Sequence, residues 1–254
     1  MDQKNNFHNN GFIKEFHVEL GDILINLQNR IYNKTKTILV DHPSSLPISE
    51  KIKLPFKNIP NKEFWSDIMN DINQSDELEL LVSSKAIKNS FKKIFSNPIK
   101  FEICTFRARI PNQSRVIYNW HQDEGTWFLS KNKNLQNKNP ATLWFSINGS
   151  DKHNSIELVP KSHLSKLFKH SYVDGQGYFK AEQIKIDPKK IYTVQTKISE
   201  AVIFHPLTLH RSVLINNDNP DMHPRYSVDI RYYDLNNSSK YRTDLKFLIK
   251  RLFN

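Results

Sequence analysis

Apolar residues in segment 1–99 recur at the spacing of amphipathic helices. Between positions 11 and 39 this spacing predicts one long helix, whose apolar face consists of Phe12, Phe16, Val18, Ile23, Leu24 and Leu27. Four prolines in segment 41–61 predict an irregular connection after that helix. Two further helices are predicted near 62–74 and 77–96, and the apolar face of the second contains Ile87, Phe91 and Ile94.

From residue 100 onward the pattern changes to short runs rich in β-branched and aromatic residues. The eight runs are FEICTFRARI, SRVIYNWHQD, ATLWFSING, SIELVP, IYTVQT, AVIFHP, TLHRSVLIN and RYSVDIRYYD. Strands at this spacing are typical of a sandwich or barrel rather than of strand–helix–strand units. Segment 238–254 returns to helical spacing and predicts a C-terminal helix. We expect one domain over 1–254, with 1–99 mostly helical and 100–234 forming the barrel core.

The run RYSVDIRYYD separates polar from apolar side chains, because successive residues of a strand point to opposite faces. Its apolar face consists of Tyr226, Val228, Ile230 and Tyr232, and its polar face of Arg225, Ser227, Asp229 and Arg231. Such a polar face usually meets water. Other runs also gather polar or aromatic side chains on one face, as His210 does with Ser212, Trp144 with Ser146, and His121 with Asp123. This favours a barrel with a polar, ligand-binding interior.

The run NWHQDEGTW contains a possible metal-binding pair. On a strand, His121 and Asp123 point the same way, and a distant second histidine completes the set of two histidines and one carboxylate used by non-haem Fe(II) oxygenases. His205 stands before Pro206, as turn histidines often do, whereas His210 lies within a β-rich run and is favoured as the second histidine. His-x-Asp alone is a weak signal of a metal site. The signal becomes specific when the pair is followed by a distant histidine and then by an arginine.

An arginine after the second histidine suits a co-substrate with a free carboxylate, because the guanidinium group binds a carboxylate through two parallel hydrogen bonds. Arg225 and Arg231 are both candidates. They lie about 20 Å apart on an extended strand, so we expect only one to reach the metal cavity. Arg225 is favoured, since it begins the strand, and Arg231 is expected to pair with Asp229 or Asp234.

Charge and composition limit the remaining possibilities. The 37 basic and 26 acidic residues give a net charge of +11, which favours anionic ligands. The excess is spread along the chain without a nucleic-acid motif, so specific nucleic-acid binding is not expected. A single cysteine fits a reducing compartment, and no apolar stretch is long enough to cross a membrane. We expect a cytoplasmic monomer or homodimer.

The runs WHQDEGTW, TLWFSI, SIELVPKSH, AVIFHPLTLHRS and PRYSVDIRYYD together resemble the phytanoyl-CoA dioxygenase family of Fe(II)/2-oxoglutarate oxygenases. The resemblance covers roughly 100–234, and NGFIKEF at 10–16 resembles the start of the family's N-terminal helix. HQDxxTW and RxRI are also similar to ectoine hydroxylase, a member of the family. Lys161 and Ser199 stand where the family has glycines, which the turn at Lys161 tolerates if it does not require a positive φ.

The resemblance implies a mainly β fold, a double-stranded β-helix or jelly-roll barrel packed by N-terminal helices and a C-terminal helix. It implies that iron is bound by His121, Asp123 and His210. It further implies that 2-oxoglutarate is contacted by Arg225, Ser212 and Trp144. Arg109 falls where the family often has a polar contact to the co-substrate or the substrate. Candidate substrate-side residues are Arg107, Tyr118, Glu124 and Trp127.

The function predicted from these residues is hydroxylation of a C–H bond in a small metabolite, an anionic one if the net charge is a guide. The reaction needs Fe(II), 2-oxoglutarate and O₂, with ascorbate as the reductant in vitro, and releases succinate and CO₂. Two alternatives stay open at this stage. One is a non-catalytic jelly-roll that binds a small molecule, and the other is a metal-dependent hydrolase or isomerase with Zn²⁺ at the same residues.

Overall fold

The computed structural model describes residues 3–41, 44–58, 61–101, 103–110, 117–129, 140–174, 178–214 and 223–237, with the backbone alone at 127–129. The predicted C-terminal helix at 238–254 lies outside these residues. Among the helices of the described segments, none is long and apolar enough to span a membrane.

The described helices lie mostly before the strands. They are α1 (Gln3–Asn10), α2 (Asp22–Thr35), α3 (Ile48–Lys51), α4 (Lys62–Asn73), α5 (Asp76–Ser83), α6 (Lys85–Phe91) and α7 (Asp123–Leu129). The prediction of a single helix near 77–96 is wrong, because this segment contains two helices, α5 and α6. Ser84 has an extended backbone, ends α5, and caps α6 by accepting a hydrogen bond from Ile87 N at 3.3 Å.

The strands are β1 (Phe12–His17), β2 (Pro98–Lys100), β3 (Thr105–Arg109), β4 (Ala141–Ser146), β5 (Ile156–Leu158), β6 (His170–Val173), β7 (Tyr178–Ala181), β8 (Tyr192–Thr193), β9 (Glu200–Phe204), β10 (His210–Ser212) and β11 (Arg225–Asp234). The large antiparallel sheet has the order β1-β9-β4-β11-β2, and β3 also pairs with β11. A smaller sheet has the order β10-β5-β8, and β6 pairs with β7 as a hairpin.

The N-terminal segment corrects the sequence prediction of one long helix over 11–39. Phe12–His17 forms a strand that pairs with β9, with Phe12 opposite Phe204. Gly11 precedes it with a φ of 83°, a conformation that glycine adopts at low cost. Phe12 packs between the two sheets and Ile13 against the helices. Apolar residues at both faces of this strand gave the sequence a spacing that resembled a helix.

Two apolar layers hold the sheets in place. On one side of the large sheet, Leu143 and Ile203 pack against helix residues such as Leu27, Ile31 and Trp65. On its other side, residues of both sheets bury one another, namely Phe12, Trp144, Ile156, Leu158, Val194, Val202 and Phe204. Two facing sheets with helices on the outer face of one are the predicted jelly-roll barrel. The extent of one domain over 1–254 stays a prediction.

Candidate metal centre

His121, Asp123 and His210 come together inside the barrel. Each offers one ligand atom, and these atoms all lie within 4.8 Å of one another. Asp123 and His210 are buried and His121 is half-buried. The two histidines face each other across an isolated antiparallel bridge, with 3.0 Å between each backbone N and the partner's carbonyl O. Their ring centroids are 4.1 Å apart.

The prediction that His121 and Asp123 share a strand is wrong, although both side chains reach the same centre. His121 forms only the isolated bridge, and Asp123 is the first residue of α7. Gln122 between them is fully buried and donates from Nε2 to Leu207 O at 2.9 Å. The turn of the backbone into a helix, and not strand alternation, therefore brings the carboxylate beside the imidazole.

The histidines are held in the tautomer that a metal requires. His121 Nδ1 lies 2.8 Å from Asn119 O, and His210 Nδ1 lies 3.0 Å from Thr208 O. Because a carbonyl can only accept, each Nδ1 carries the hydrogen and each Nε2 keeps its lone pair. Desolvation, and then the proximity of His210, lowers the pKa of His121 to about 3, so this ring is neutral near pH 7.

The carboxylate of Asp123 is held by one oxygen. Oδ2 accepts from Thr142 Oγ1 at 2.6 Å and lies 3.6 Å from Arg231 Nη2, while Oδ1 lies 3.7 Å from His210 Nε2. Burial alone raises the pKa of Asp123, but the positive charge of Arg231 and the other neighbours outweigh burial and hold this pKa at about 2. Asp123 is thus ionised, with Oδ1 directed toward the histidines.

Six of the fourteen residues that line the cavity beside these three residues are charged. The space between its walls, including the part that is open to solvent, is about 440 Å³, and its lining includes Arg107, Arg211, Arg225, Arg231, Asp123 and Asp229. The predicted faces of RYSVDIRYYD are confirmed, because Arg225, Asp229 and Arg231 line the cavity while Tyr226, Val228, Ile230 and Tyr232 lie in the apolar core.

Arg225 and Arg231 both reach the cavity, so the prediction that only one could do so is wrong. Side chains lean along a strand, and the separation of two Cα atoms therefore overstates the separation of two long side chains. Arg231 Nη2 lies 3.7 Å from Asp229 Oδ2, which is the predicted pairing, and 3.6 Å from Asp123 Oδ2, which the sequence did not indicate.

Arg225 is in a different situation from Arg231. Its side chain is buried at 2% exposure, its guanidinium lies 5.2 Å from the centre of the Trp144 ring, and neither Nε nor Nη1 has a hydrogen-bond partner among the described residues. Loss of hydration lowers the pKa of Arg225 to about 9, and the nearby charge of Arg109 adds to this. A buried cation with unused donors is suited to receive an anion.

Other predicted co-substrate residues are divided between the cavity and its surroundings. Trp144 and Ser212 line the cavity, and Ser212 Oγ also accepts from Tyr118 N at 3.1 Å. Arg109 is buried outside the lining and donates to the backbone oxygens of Ser155 and Val213, at 3.2 and 2.6 Å. Its contacts in the described structure are therefore those of a structural residue.

The candidate substrate-side residues are divided in the same way. Arg107 and Tyr118 line the cavity, and Arg107 donates to the Tyr118 hydroxyl and, through Nε, to Asp229 Oδ2 at 2.8 Å. Glu124 is buried in α7 outside the lining, and its carboxylate has no partner among the described residues. Burial, and then the charge of Asp123, raises the pKa of Glu124 to about 7. Trp127 lies in α7, and its side chain is outside the described part of the structure.

His205 lies apart from the metal-binding cluster, as favoured from the sequence. Its ring packs 5.3 Å from the ring of His163 and 5.7 Å from that of Phe7. Sequence reasoning did not single out Thr142, although it stands two positions before Trp144 and thus on the same face of β4. It also missed His170 and Tyr178, whose hairpin carries no recognisable signal.

Comparison with known proteins agrees with this geometry. The family model described as phytanoyl-CoA dioxygenase (PhyH) matches residues 55–219, more than half of the chain. The chain belongs to this family. The resemblance noted in the sequence is thereby confirmed. No curated protein matches the chain by sequence.

Solved structures of similar fold support the architecture. The non-heme monooxygenase ThoJ superposes with a TM-score of 0.59 at 16% identity, covering 92% of this chain and 77% of that one. The non-heme alpha ketoglutarate dependent carbocyclase SnoK, from nogalamycin biosynthesis, has a TM-score of 0.56 at 14% identity, with 91% and 83% covered. EctD from S. alaskensis has a TM-score of 0.56 at 14% identity, with 92% and 77% covered. At these identities the likeness shows the fold, and the predicted jelly-roll class is confirmed.

Proposed function

We propose that this phytanoyl-CoA dioxygenase family member is an Fe(II)- and 2-oxoglutarate-dependent dioxygenase that hydroxylates a C–H bond of a small anionic metabolite. The observation that carries the proposal is the presence, in one cavity, of the His121, Asp123 and His210 cluster and the buried, unpartnered donors of Arg225. The cluster by itself would equally suit a zinc hydrolase, and the arginine by itself would suit any small anion. Together they match a metal and an anionic co-substrate.

The donor set fits iron. Two imidazoles and one carboxylate leave coordination positions open for other ligands, as in non-haem Fe(II) oxygenases. His121 and His210 each keep Nε2 free, and Asp123 keeps Oδ1 free because Oδ2 is engaged by Thr142. When bound, Fe(II) with 2-oxoglutarate and O₂ supplies the oxidising power for hydroxylation, and the co-substrate leaves as succinate and CO₂.

Arg225 and Ser212 are assigned to the remote carboxylate of 2-oxoglutarate. Arg225 Nε and Nη1 are donors without partners in the described structure, and they lie on different edges of the guanidinium, so a carboxylate would satisfy one of them. Trp144, whose ring packs against the guanidinium, then forms a wall of the co-substrate pocket. The structure does not favour Arg109 for this role, since it lies outside the cavity lining and its Nη1 and Nη2 are bonded to backbone oxygens, although its Nε has no partner among the described residues.

The charge of the cavity supports an anionic substrate. Four arginines line the cavity against two aspartates, and the charges of Fe(II) and 2-oxoglutarate cancel each other. The positive excess therefore remains when the centre is loaded, and a carboxylate or phosphate on the substrate would reduce it. Arg107 and Tyr118, which are hydrogen-bonded to each other in the lining, are the residues assigned to the substrate side.

The hydrolase alternative has less support in the structure. A zinc hydrolase uses a carboxylate or histidine near the metal as a general base. The carboxylates that line the cavity are Asp123, which belongs to the cluster, and Asp229, which is ion-paired with Arg107 at 2.8 Å. Glu124, a buried acid next to Asp123 in the chain, lies outside the lining.

The test is the release of succinate from 2-oxoglutarate by the purified protein with Fe(II), ascorbate and O₂. We expect slow release without substrate, and its loss in His121→Ala and in His210→Ala. His153→Ala, at an exposed histidine, is the matched control and should keep the activity. Succinate release that survives both cluster substitutions would contradict the proposal. Analysis of the product formed from a substrate then distinguishes hydroxylation from another reaction, such as the carbocycle formation named for SnoK.

A further inference from the structure

The segment that carries His121 and Asp123 is held by side chains of the β6–β7 hairpin. Asn119 N donates to Tyr178 Oη at 2.9 Å, and Gln122 N donates to His170 Nε2 at 3.0 Å. One of these bonds lies before His121 in the chain and the other lies between His121 and Asp123. The segment is not part of a continuous strand, and its other backbone bonds include the bridge at His121, Ser212 N to Tyr118 O at 2.8 Å and, from β7 of the same hairpin, Ala181 N to Trp120 O at 2.9 Å.

Asn119 connects the hydroxyl of Tyr178 to the imidazole of His121 through two hydrogen bonds. Asn119 donates its N–H to Tyr178, and its carbonyl accepts the hydrogen of His121 Nδ1 at 2.8 Å. The Tyr178 ring also packs edge-on to the ring of Tyr118 at 4.6 Å, and its centroid lies 5.9 Å from that of His121. The hydroxyl of Tyr178 thus fixes the residue that sets the tautomer and rotation of His121.

The bond to His170 fixes the start of α7. His170 Nδ1 lies 2.8 Å from Phe168 O, so Nδ1 carries the hydrogen and Nε2 is an acceptor for Gln122 N. A Cβ at Gly125 would lie within 2.5 Å of the His170 ring. Glycine in the helix therefore allows the imidazole to lie directly against α7.

We propose that the β6–β7 hairpin, through His170 and Tyr178, is the positioning element of the metal ligands His121 and Asp123. Groups that orient a metal ligand without touching the metal commonly change metal affinity about 10–100-fold when they are removed. Tyr178 acts through Asn119, and His170 through Gln122, so both are positioning residues. The inference rests on the metal site of the proposed function.

The test uses Co(II), a spectroscopically visible substitute for Fe(II), titrated into the metal-free protein under anaerobic conditions. Tyr178→Phe removes only the hydroxyl group and keeps the ring that packs on Tyr118. We expect a dissociation constant for Co(II) about tenfold higher than in the unaltered protein, and a changed visible absorption band. Tyr172→Phe is the matched control, because Tyr172 lies on the same hairpin but is 53% exposed.

The outcomes separate this inference from the proposed function. If Co(II) binds the unaltered protein and Tyr178→Phe with dissociation constants within about twofold, hairpin positioning is overturned and the metal site stands. If the unaltered protein does not bind Co(II), the metal site itself is overturned, and the inference with it. Titration well below the unfolding temperature of each variant prevents a loss of stability from being read as a loss of affinity.

Discussion

Replacing Arg225 with methionine is expected to stabilise the ligand-free protein and to abolish its stabilisation by 2-oxoglutarate. The guanidinium is buried, Nε and Nη1 lack hydrogen-bond partners among the described residues, and Arg109 adds a repulsive charge. Methionine has a similar length and flexibility, and it can fill the same space next to Trp144 without a charge.

The magnitude follows from the lowered pKa of Arg225. A pKa of about 9 in the folded protein is below the usual arginine value, so the charged form destabilises the fold at neutral pH. This penalty is fully present below pH 9 and is relieved as the pH rises toward the unfolded-state pKa. At about 1.4 kcal/mol per pKa unit, the upper bound is ~5 kcal/mol. The cation–π contact with Trp144 offsets up to ~2 kcal/mol. We expect Arg225→Met to gain ~1–4 kcal/mol, the range seen when buried ionic groups are replaced by apolar ones.

The assay is urea unfolding at pH 7.5 without metal, repeated anaerobically with Co(II) and 2-oxoglutarate. For the unaltered protein, the co-substrate should raise the unfolding midpoint by mass action. Arg211→Met is the matched comparison, because Arg211 lines the same cavity but is paired with Glu157 at 2.5 Å. That variant should lose stability, since it leaves Glu157 without its partner. An Arg225→Met protein that is less stable than the original, with a midpoint that still rises with 2-oxoglutarate, would refute this reasoning.

Three further substitutions test the backbone and the charges around the centre by urea unfolding. Lys161→Gly should gain about 0.5–1 kcal/mol, because Lys161 holds a φ of 64° that costs a side-chain-bearing residue more than glycine; no gain would contradict this strain. Gly125→Ala should lose about 1–3 kcal/mol although alanine favours helices, since its methyl group would displace His170. A gain there would show that His170 does not lie against α7. Asp229→Asn should lose about 2–3 kcal/mol, because Arg107 and Arg231 would both lose a nearby charge; an unchanged free energy of unfolding would contradict the ion pairs.

The sequence was most informative where a side chain's direction follows from strand alternation. In β11 the alternation correctly placed Tyr226 and Val228 in the core and Asp229 and Arg231 in the cavity. The same rule placed His210 toward the cavity. The alternation rule holds here because these strands either pair on both sides or face a second sheet. Each face of such a strand therefore meets either the apolar core or the cavity.

Alternation failed where the structure departs from a strand. Asp123 reaches the centre by starting a helix, and the bonds that fix this turn come from His170 and Tyr178, many positions away. β1 was taken for a helix because Phe12 packs on one face while Ile13 and Phe16, separated by an irregularity in the pairing register, pack against the other apolar cluster, which removes the alternation of polar and apolar residues. At Lys161 the turn does require a positive φ, which composition alone could not reveal.

The pairing of β1 with β9 has a consequence for biosynthesis. Gly11 O accepts a hydrogen bond from Thr208 Oγ1, 197 residues further along the chain, and Phe12 lies opposite Phe204. At about 5–20 residues per second, the ribosome would add β9 roughly 10–40 s after β1. During that interval the apolar strand β1 has no partner strand. Because unpaired strand edges promote aggregation, the yield of folded protein is expected to depend on how well β1 is protected during this interval, as well as on the stability of the finished barrel.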